Sequence, residues 1–229
     1  MVRDGKIAPM KALVFDAYGT LFDVLSVTAS CELLFPGKGT ALATMWRSKQ
    51  LQYSLLRSMM ERYADFWQIT QDALVYATKA LGLELTAENR DRLMDGYRRL
   101  QAFADVKPGL EALRAKGFGL AILSNGAPEM LQAAATHAGI DGLLDEIISV
   151  DAIKVYKPSP RIYQLASQRL GVSAAEIGFV SSNSWDVAGA TSAGLTAFWI
   201  QRAAAEPQEE LGYRAAHVVR AITDLVERT

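Results

Sequence analysis

The carboxylate of Asp16 stands where an apolar run stops, and it is the first candidate for a reacting group. The run Ala12–Phe15 is typical of a buried strand, and Gly19 and Thr20 follow Asp16 within four positions. An acid in this place would lie at the carboxyl edge of a strand, in front of a glycine-containing turn. Ligands of open α/β sheets bind at that edge. The pattern therefore favours Asp16 as the group that meets a ligand.

Three further apolar strands are predicted, and each is followed by polar residues. Because the carboxyl ends of parallel strands share one edge of a sheet, we expect these residues to form one site with Asp16. They are Ser124 and Asn125 after the second strand, Lys157 after the third, and Ser181, Asn183 and Asp186 after the fourth.

Each of these groups has a chemical role and a purely structural alternative. The pair Ser124-Asn125 precedes a helix whose first N–H groups could hold an anion, but it also suits a turn. Lys157 would keep Asp16 ionised, because a nearby cation lowers the pKa of a carboxyl group. Sequence pattern does not choose between Lys157 and Lys154. Asp186 is equally compatible with a structural role in the first turn of a helix.

The elements that must position these residues alternate between strands and helices from residue 104 onward. This alternation predicts a doubly wound parallel sheet, an α/β core of the Rossmann-like kind. The predicted strands cover residues 11–16, 118–123, 146–150, 176–180 and 196–200, with an edge strand at 216–219.

A different pattern fills residues 25–103, where the apolar spacing is helical and no strand is predicted. The longest helix is amphipathic and covers residues 40–63, and another runs from Thr86 to about Leu100. We therefore predict a discontinuous core over residues 1–22 and 104–229, with an inserted all-helical cap over residues 23–103.

Composition excludes several classes of function. The chain has 229 residues and a net charge of −1, so it lacks the basic patches of nucleic-acid-binding proteins. No apolar stretch reaches the roughly 18 residues that span a bilayer, and the first ten residues lack the apolar core of a signal peptide. The single cysteine, Cys31, can form neither an internal disulfide nor a cysteine zinc cluster, and a reducing cytoplasm is the expected location.

Other catalytic motifs are missing from the sequence. It contains no G-x-S-x-G elbow, no G-x-G-x-x-G fingerprint and no P-loop, so a serine hydrolase triad and a nucleotide site are not supported. The two histidines, His137 and His217, fall at a helix end and in a predicted strand, which favours structural roles.

The ordered motifs resemble those of the haloacid dehalogenase superfamily along almost the whole chain. They are Asp16 to Thr20, Ser124-Asn125-Gly126, Lys157-Pro158 and the polar end of the fourth strand. Phosphatases of that superfamily carry a second aspartate two residues after the first, and here that position is Tyr18. Their acidic cluster after the fourth strand is replaced by Ser181-Ser182-Asn183. Both changes remove hard oxygen ligands for Mg²⁺, and the first removes the acid that would protonate a phosphate leaving group.

Within the superfamily, the sequence resembles the L-2-haloacid dehalogenase branch, whose motifs match DAYGTLFDV, WRSKQLQY, LSNG, VYKP and SSNSWD. The resemblance implies a metal-independent hydrolase without a cofactor. Asp16 would attack C2 of an L-2-haloalkanoate and displace halide with inversion. Water would then hydrolyse the aspartyl ester and release a D-2-hydroxy acid.

The same resemblance implies a role for each site residue. Thr20 and Lys157 would position and charge-balance Asp16, Ser124 would hold the substrate carboxylate, and Arg47 with Asn125 would receive the halide. The motif selects Arg47, whereas composition alone cannot rank it above Lys49, Arg57 or Arg62. Ser181, Asn183 and Asp186 would orient Lys157 and the hydrolytic water, Tyr163 would brace this network, and Tyr18, Leu51, Phe66 and Trp185 would form an apolar wall around a short alkyl group.

Two other functions are compatible with the fold. A phosphatase or phosphonatase of the same superfamily is disfavoured by Tyr18 and by Ser181-Ser182. A non-catalytic binding module is disfavoured because Asp16, Lys157 and Ser124 are all retained. The expected partners are a small-molecule 2-haloalkanoate and halide, with no nucleic acid and no membrane. The apolar surface of the cap favours a homodimer, which enzymes of this branch often form, and the alternative is that this surface packs only within the cap.

Overall fold

The computed structural model describes residues 9–202 and 207–229, and its centre is one six-stranded sheet in which every neighbouring pair of strands is parallel. The strand order is β3-β2-β1-β4-β5-β6. The strands are β1 Ala12–Phe15, β2 Gly119–Ser124, β3 Glu146–Ser149, β4 Ile177–Ser181, β5 Thr196–Ile200 and β6 His217–Val219. The predicted doubly wound α/β sheet is confirmed.

Nine α-helices accompany the sheet in the described part of the chain. Five of them, α1 to α5, lie between β1 and β2 in sequence, and α6, α7, α8 and α9 follow β2, β3, β4 and β6. The helices are α1 Ser26–Leu34, α2 Gly39–Met59, α3 Phe66–Ala80, α4 Ala87–Gly96, α5 Val106–Ala115, α6 Pro128–His137, α7 Pro160–Leu170, α8 Ser184–Ser192 and α9 Leu225–Arg228.

Strand β1 lies at the centre of the sheet because it is apolar on both faces. All four of its residues are buried, as expected for a parallel strand covered by helices on both sides. Phe15 pairs with Ile122 of β2 on one side and with Val180 of β4 on the other. The strand order reverses between β1 and β4, and such a switch point opens a crevice at the carboxyl edge. The next residue, Asp16, lies at the mouth of that crevice.

The helical segment is joined to the sheet at one narrow place. Phe22 and Ala102 form an antiparallel bridge, and the Asp23 N–H donates to the carbonyl of Gln101 at 2.8 Å. The Phe103 N–H returns a hydrogen bond to the carbonyl of Leu21 at 3.1 Å. The chain therefore leaves β1 and comes back to α5 through two adjacent, hydrogen-bonded strands of backbone.

Two predicted helices are shorter than their apolar spacing suggested. Helix α2 ends at Met59 instead of residue 63, because Glu61 takes a left-handed conformation with φ 56°. Tyr63 matches the apolar spacing of the helix although it lies in the loop that follows. Its ring stacks on that of Tyr156, with centroids 5.2 Å apart. Helix α4 ends at Gly96 instead of near Leu100, which is buried in the core without belonging to the helix.

Candidate active site

The carboxylate of Asp16 is nearly buried, with 6% of the residue exposed, and its two oxygens have unequal surroundings. Oδ2 faces three donors: the Asn183 amide at 2.8 Å, the Thr20 hydroxyl at 3.1 Å and the Ser181 hydroxyl at 3.4 Å. Oδ1 faces the ammonium group of Lys157 at 3.1 Å. The crowded oxygen fixes the orientation of the carboxylate and leaves Oδ1 the less encumbered oxygen.

The ammonium group of Lys157 joins two carboxylates in the interior. Its Nζ lies 3.1 Å from Asp16 and 2.8 Å from Asp186, and the side chain is 1% exposed. The Lys157 backbone N–H donates to the Asn125 side-chain oxygen at 3.0 Å, which ties the lysine to the end of β2. Lys154 is exposed and pairs with Asp151 at 3.2 Å. The sequence pattern left the choice between these two lysines open, and in the structure Lys157 is the one that contacts Asp16.

Asp186 lies in the first turn of α8, and its Oδ2 accepts a hydrogen bond from the Lys157 ammonium group at 2.8 Å. The Tyr163 hydroxyl donates to its other oxygen at 2.6 Å. Burial raises the pKa of Asp186 to about 6, against the opposing pull of Lys157. Burial alone would lower the pKa of Lys157, but Asp16 and Asp186 outweigh it and raise that pKa overall. The two carboxyl groups on either side of Lys157 therefore stabilise its charged form.

The polar residues at and after the end of β4 contact different partners. Asn183 and Ser181 donate to Asp16, whereas Asp186 contacts Lys157. The prediction assigned all three to orienting Lys157 and the hydrolytic water. The side chains of Ser181 and Asn183 donate to Asp16, and the Asn183 amide also lies 3.3 Å from the Tyr18 carbonyl. Ser181 is the last residue of β4, which pairs directly with β1, and its hydroxyl therefore ends beside the residue that follows β1.

Two residues outside the predicted set support the loop after β1. The Ser182 N–H donates to the Thr20 hydroxyl oxygen at 2.8 Å. Arg202, just beyond β5, donates to the Thr20 carbonyl at 2.8 Å and pairs with Asp105 at 2.7 Å. The sequence could have identified Arg202, because this residue follows an apolar strand and therefore lies at the same edge of the sheet.

Ser124 and Asn125 lie at the end of β2, beside the loop that precedes α6. The Ser124 hydroxyl is fully buried and accepts a hydrogen bond from the Gly126 N–H at 3.1 Å. Gly126 packs so closely on Tyr18 that a Cβ there would lie 2.8 Å from the tyrosine ring. A glycine is therefore needed where the loops after β1 and β2 meet.

Arg47 reaches the loop after β1 from α2. Its Nη2 lies 3.4 Å from the carbonyl of Tyr18, and the residue is half-buried. The other basic residues of this region have different partners. Lys49 donates to Gln52, Arg57 pairs with Asp72, and Arg62 donates to the carbonyl of Glu61. Of these four basic residues, Arg47 is the one whose described contacts reach the loop after β1.

The predicted apolar wall falls into two parts. Tyr18 stacks on Phe66, with ring centroids 5.6 Å apart, and both side chains are buried. Burial raises the pKa of Tyr18 well above its usual range, so its side chain is a neutral phenol. Leu51 and Trp185 line a cavity together with Lys157. Among the residues that the structure describes, no three His, Cys, Asp or Glu side chains come together as a metal-binding group.

Comparisons with known proteins agree with this geometry. Residues 10–194 match the family of haloacid dehalogenase-like hydrolases. The (S)-2-haloacid dehalogenase of Pseudomonas sp. (strain YL) is 45% identical over 218 residues, which are 95% of this chain and 94% of the relative.

Solved structures agree as well. The crystal structure of the L-2-haloacid dehalogenase RSc1362 has a TM-score of 0.94 and 47% identity, and the match covers 96% of this chain and 99% of that one. A structure of the L-2-haloacid dehalogenase from Xanthobacter autotrophicus with covalently bound chloropropionic acid has a TM-score of 0.90 and 41% identity, over 95% and 97% of the two chains. The chain belongs to the haloacid dehalogenase-like hydrolases, in their L-2-haloacid dehalogenase branch.

Proposed function

We propose that the protein hydrolyses short-chain L-2-haloalkanoic acids to D-2-hydroxy acids and halide. The observation that carries this proposal is the arrangement around Asp16. Its Oδ2 accepts from three neutral groups, and its Oδ1 faces one buried lysinium. An ionised, oriented carboxylate of this kind suits covalent attack on carbon.

The reaction has two steps. In the first, Oδ1 of Asp16 forms a bond to C2 of the substrate while the carbon–halogen bond breaks, and the halide leaves with the bonding electrons. Attack from the side opposite the halogen inverts C2. In the second, water adds to the carboxyl carbon of the aspartyl ester, the hydroxy acid leaves, and one proton is released to solvent. The sum consumes one water and restores Asp16.

Charge on the substrate and on the leaving group needs stabilisation near Asp16. Arg47 approaches from α2 and Asn125 from the end of β2, and we assign the departing halide to this pair. Ser124 and the N–H groups after β2 are assigned to the substrate carboxylate. Stabilisation of this kind acts most strongly where water is excluded, as it is beside the buried rings of Tyr18 and Phe66.

Metal independence follows from the groups that surround the nucleophile. The superfamily's phosphatases carry a carboxylate two residues after it, where this chain has the neutral phenol of Tyr18. The remaining carboxylate, Asp186, is engaged by Lys157 and Tyr163. These groups offer too few free oxygens for the octahedral site that Mg²⁺ demands.

Single-turnover labelling tests the ester mechanism. Excess enzyme with L-2-chloropropionate in heavy-oxygen water should give unlabelled D-lactate in the first turnover, with the label in Asp16. This outcome is expected because the hydroxyl oxygen of the product comes from the carboxylate. Mass spectrometry of the lactate and of the peptide that contains Asp16 measures the label in each. Label in the first lactate, with none in Asp16, would refute the mechanism, and the D enantiomer serves as the inactive control.

We further propose that residues 23–103 form a cap over a core made of residues 1–22 and 104–229. The paired backbone at Phe22 and Ala102 supports this division, since the chain enters and leaves the helical segment at one place. Arg47, Leu51 and Phe66 would then be the cap's contributions to a site whose other groups come from the core.

A homodimer is proposed through an apolar patch, defined as Leu56, Met59 and Met60, at the end of α2. These side chains are 42%, 80% and 58% exposed, and contiguous apolar surface of this kind marks interaction sites. Light scattering should give a mass of about twice the 25.0 kDa of one chain. Met59→Glu should shift that mass toward the monomer, and a wild-type monomer at micromolar concentration would contradict the proposal. A cytoplasmic location stays a prediction from the sequence.

In the described part of the chain, no helix has both the length and the apolar character that crossing a membrane requires.

A further inference from the structure

Two side chains at the end of β5 hold the backbone around the Thr20 hydroxyl. The Trp199 indole N–H donates to the carbonyl of Ser182 at 3.0 Å. Two residues after the strand, the Arg202 guanidinium donates to the carbonyl of Thr20 at 2.8 Å. Ser182 and Thr20 are joined in turn, because the Ser182 N–H donates to the Thr20 hydroxyl oxygen at 2.8 Å. Both partners of this hydrogen bond are therefore fixed from β5.

The Thr20 hydroxyl has one proton and two acceptors within reach. One acceptor is Oδ2 of Asp16 at 3.1 Å, and the other is the Ser182 hydroxyl oxygen at 3.2 Å. The Ser182 N–H already occupies one lone pair of the Thr20 oxygen. Because the two acceptors are almost equally distant, a small displacement of the Thr20 backbone decides which of them receives the proton. A contact that fixes the Thr20 carbonyl therefore also helps to fix the orientation of the Asp16 carboxylate.

The guanidinium group of Arg202 can fix that carbonyl because it is itself held by other groups. Its Nη1 pairs with Oδ1 of Asp105 at 2.7 Å, and its plane lies over the ring of Phe103, 4.1 Å from the centroid. The other oxygen of Asp105 accepts from the Ile222 N–H at 2.6 Å. The side chains of Arg202 and Asp105 are 15% and 19% exposed, so solvent screens their attraction less than that of a surface pair.

The partners of Arg202 lie where the chain returns from the helical segment to the sheet. The Phe103 N–H donates to the carbonyl of Leu21, the residue after Thr20, at 3.1 Å. Asp105 immediately precedes α5. Arg202 therefore joins the outgoing and the returning chain, and it binds the loop after β1 to both at one point.

We propose that Arg202 is a positioning residue for the first step of the reaction. It fixes the Thr20 carbonyl, and the Thr20 hydroxyl then holds Oδ2 of Asp16 so that Oδ1 faces C2 of the substrate. This inference rests on the proposed function and adds to it a residue that acts through Thr20. Misplacement of a reacting atom by about 1 Å can cost roughly 10²-fold in rate.

Arg202→Met should therefore lower kcat by about 10- to 100-fold. KM should stay within about threefold of the wild-type value, because the groups assigned to substrate binding are unchanged. Halide release from L-2-chloropropionate gives both constants, and thermal unfolding followed by circular dichroism verifies that each variant folds. Arg202→Lys serves where Arg202→Met does not fold. Its single ammonium group keeps the charge beside Asp105 but lacks the planar fork, so kcat should still fall by at least about fivefold.

A double-mutant cycle with Thr20→Val tests whether the effect passes through the hydroxyl. Valine keeps the branched shape of threonine but has no hydroxyl group. In the Thr20→Val background, Arg202→Met should lower kcat by less than about twofold, because the group that it positions is already absent. A general loss of structure, or a direct effect of the Arg202 charge on Asp16, would instead lower kcat by the same factor in both backgrounds.

Arg114→Met is the matched control. Arg114 makes the same two kinds of contact, donating to the carbonyl of Leu143 and to Oδ1 of Asp145, both at 3.0 Å. Asp145 directly precedes β3, so this pair lies at the amino edge of the sheet, opposite the active site. Arg114→Met should leave kcat within about twofold of the wild-type value.

The outcomes separate this inference from the proposed function. A folded Arg202→Met enzyme with the wild-type kcat, or with a change confined to KM, would overturn the inference and leave the proposed function intact. Equal losses with and without the Thr20 hydroxyl, or an equal loss in Arg114→Met, would also overturn it. No halide release by the wild-type enzyme from any 2-haloalkanoate would overturn both.

Discussion

Asp16→Asn should abolish halide release, with kcat lower by at least about 10⁴-fold. The amide keeps the size of the carboxylate but is a far weaker nucleophile, so the first bond to C2 does not form. Halide release from L-2-chloropropionate measures the loss, and thermal unfolding followed by circular dichroism verifies that the variant folds. The prediction fails if a folded Asp16→Asn enzyme retains more than about one hundredth of the wild-type rate.

Asp23→Asn is a suitable control because it changes the same chemical group nearby. Asp23 accepts a hydrogen bond from the Leu25 N–H at 2.8 Å and has no described contact with Asp16. Its substitution should leave kcat within a few-fold of the wild-type value. A large effect at both positions would indicate that damage to the loop, and not loss of the nucleophile, explains the result.

Lys157→Met should remove both activity and a large part of the stability. The substitution leaves Asp16 and Asp186 buried without their shared cation, and breaking a buried pair in this way costs about 3–5 kcal/mol of unfolding free energy. Without the ammonium group nothing balances or orients the charge of Asp16, and we expect kcat to fall on the order of 10³-fold or more. Denaturant unfolding and halide release measure the two effects.

Lys154→Met is its matched control in the same loop. Lys154 is exposed and pairs only with Asp151 among the described salt bridges, and exposed pairs contribute about 0–1 kcal/mol. Its activity should stay close to that of the wild type. Comparable losses in the two variants would contradict the central role of Lys157.

The stability difference between wild type and Lys157→Met should also depend on pH. Since the folded-state pKa of Lys157 is raised above its unfolded value of about 10.4, its contribution is complete below pH ~10 and is lost as pH rises through the folded pKa. At low pH the two carboxylates of the variant become protonated and the penalty of burying them disappears. The difference should therefore be largest near neutral pH and shrink toward both extremes, and a constant difference would refute this account.

Much of the fold could be predicted because its signals are local. An apolar run such as Ala12–Phe15 that is buried on both faces differs from the helical spacing of residues 25–103, and each pattern is contained within a few residues. The carboxyl edge of the sheet then collects whatever polar residues follow the strands. This rule predicts from the sequence alone that Asp16, Ser124 and Ser181 lie at one edge of the sheet. The helical spacing was misleading at Tyr63, because a side chain in a loop can match the spacing of a helix when it packs on a neighbouring ring.

The sequence by itself determined the strand ends, the order of the motifs and the absence of a carboxylate at Tyr18, since these depend on residue type and short spacing. Only the tertiary structure decided which of several similar residues serves the site. Lys154 and Lys157 are chemically identical and three residues apart, but one is exposed and the other lies between carboxylates 141 residues before it and 29 after it. For Arg47 the motif match had already made the choice that composition could not, and the structure adds that Arg47 contacts the Tyr18 carbonyl whereas Arg57 pairs with Asp72. Burial and distance between elements far apart in sequence set these differences, and no local pattern contains them.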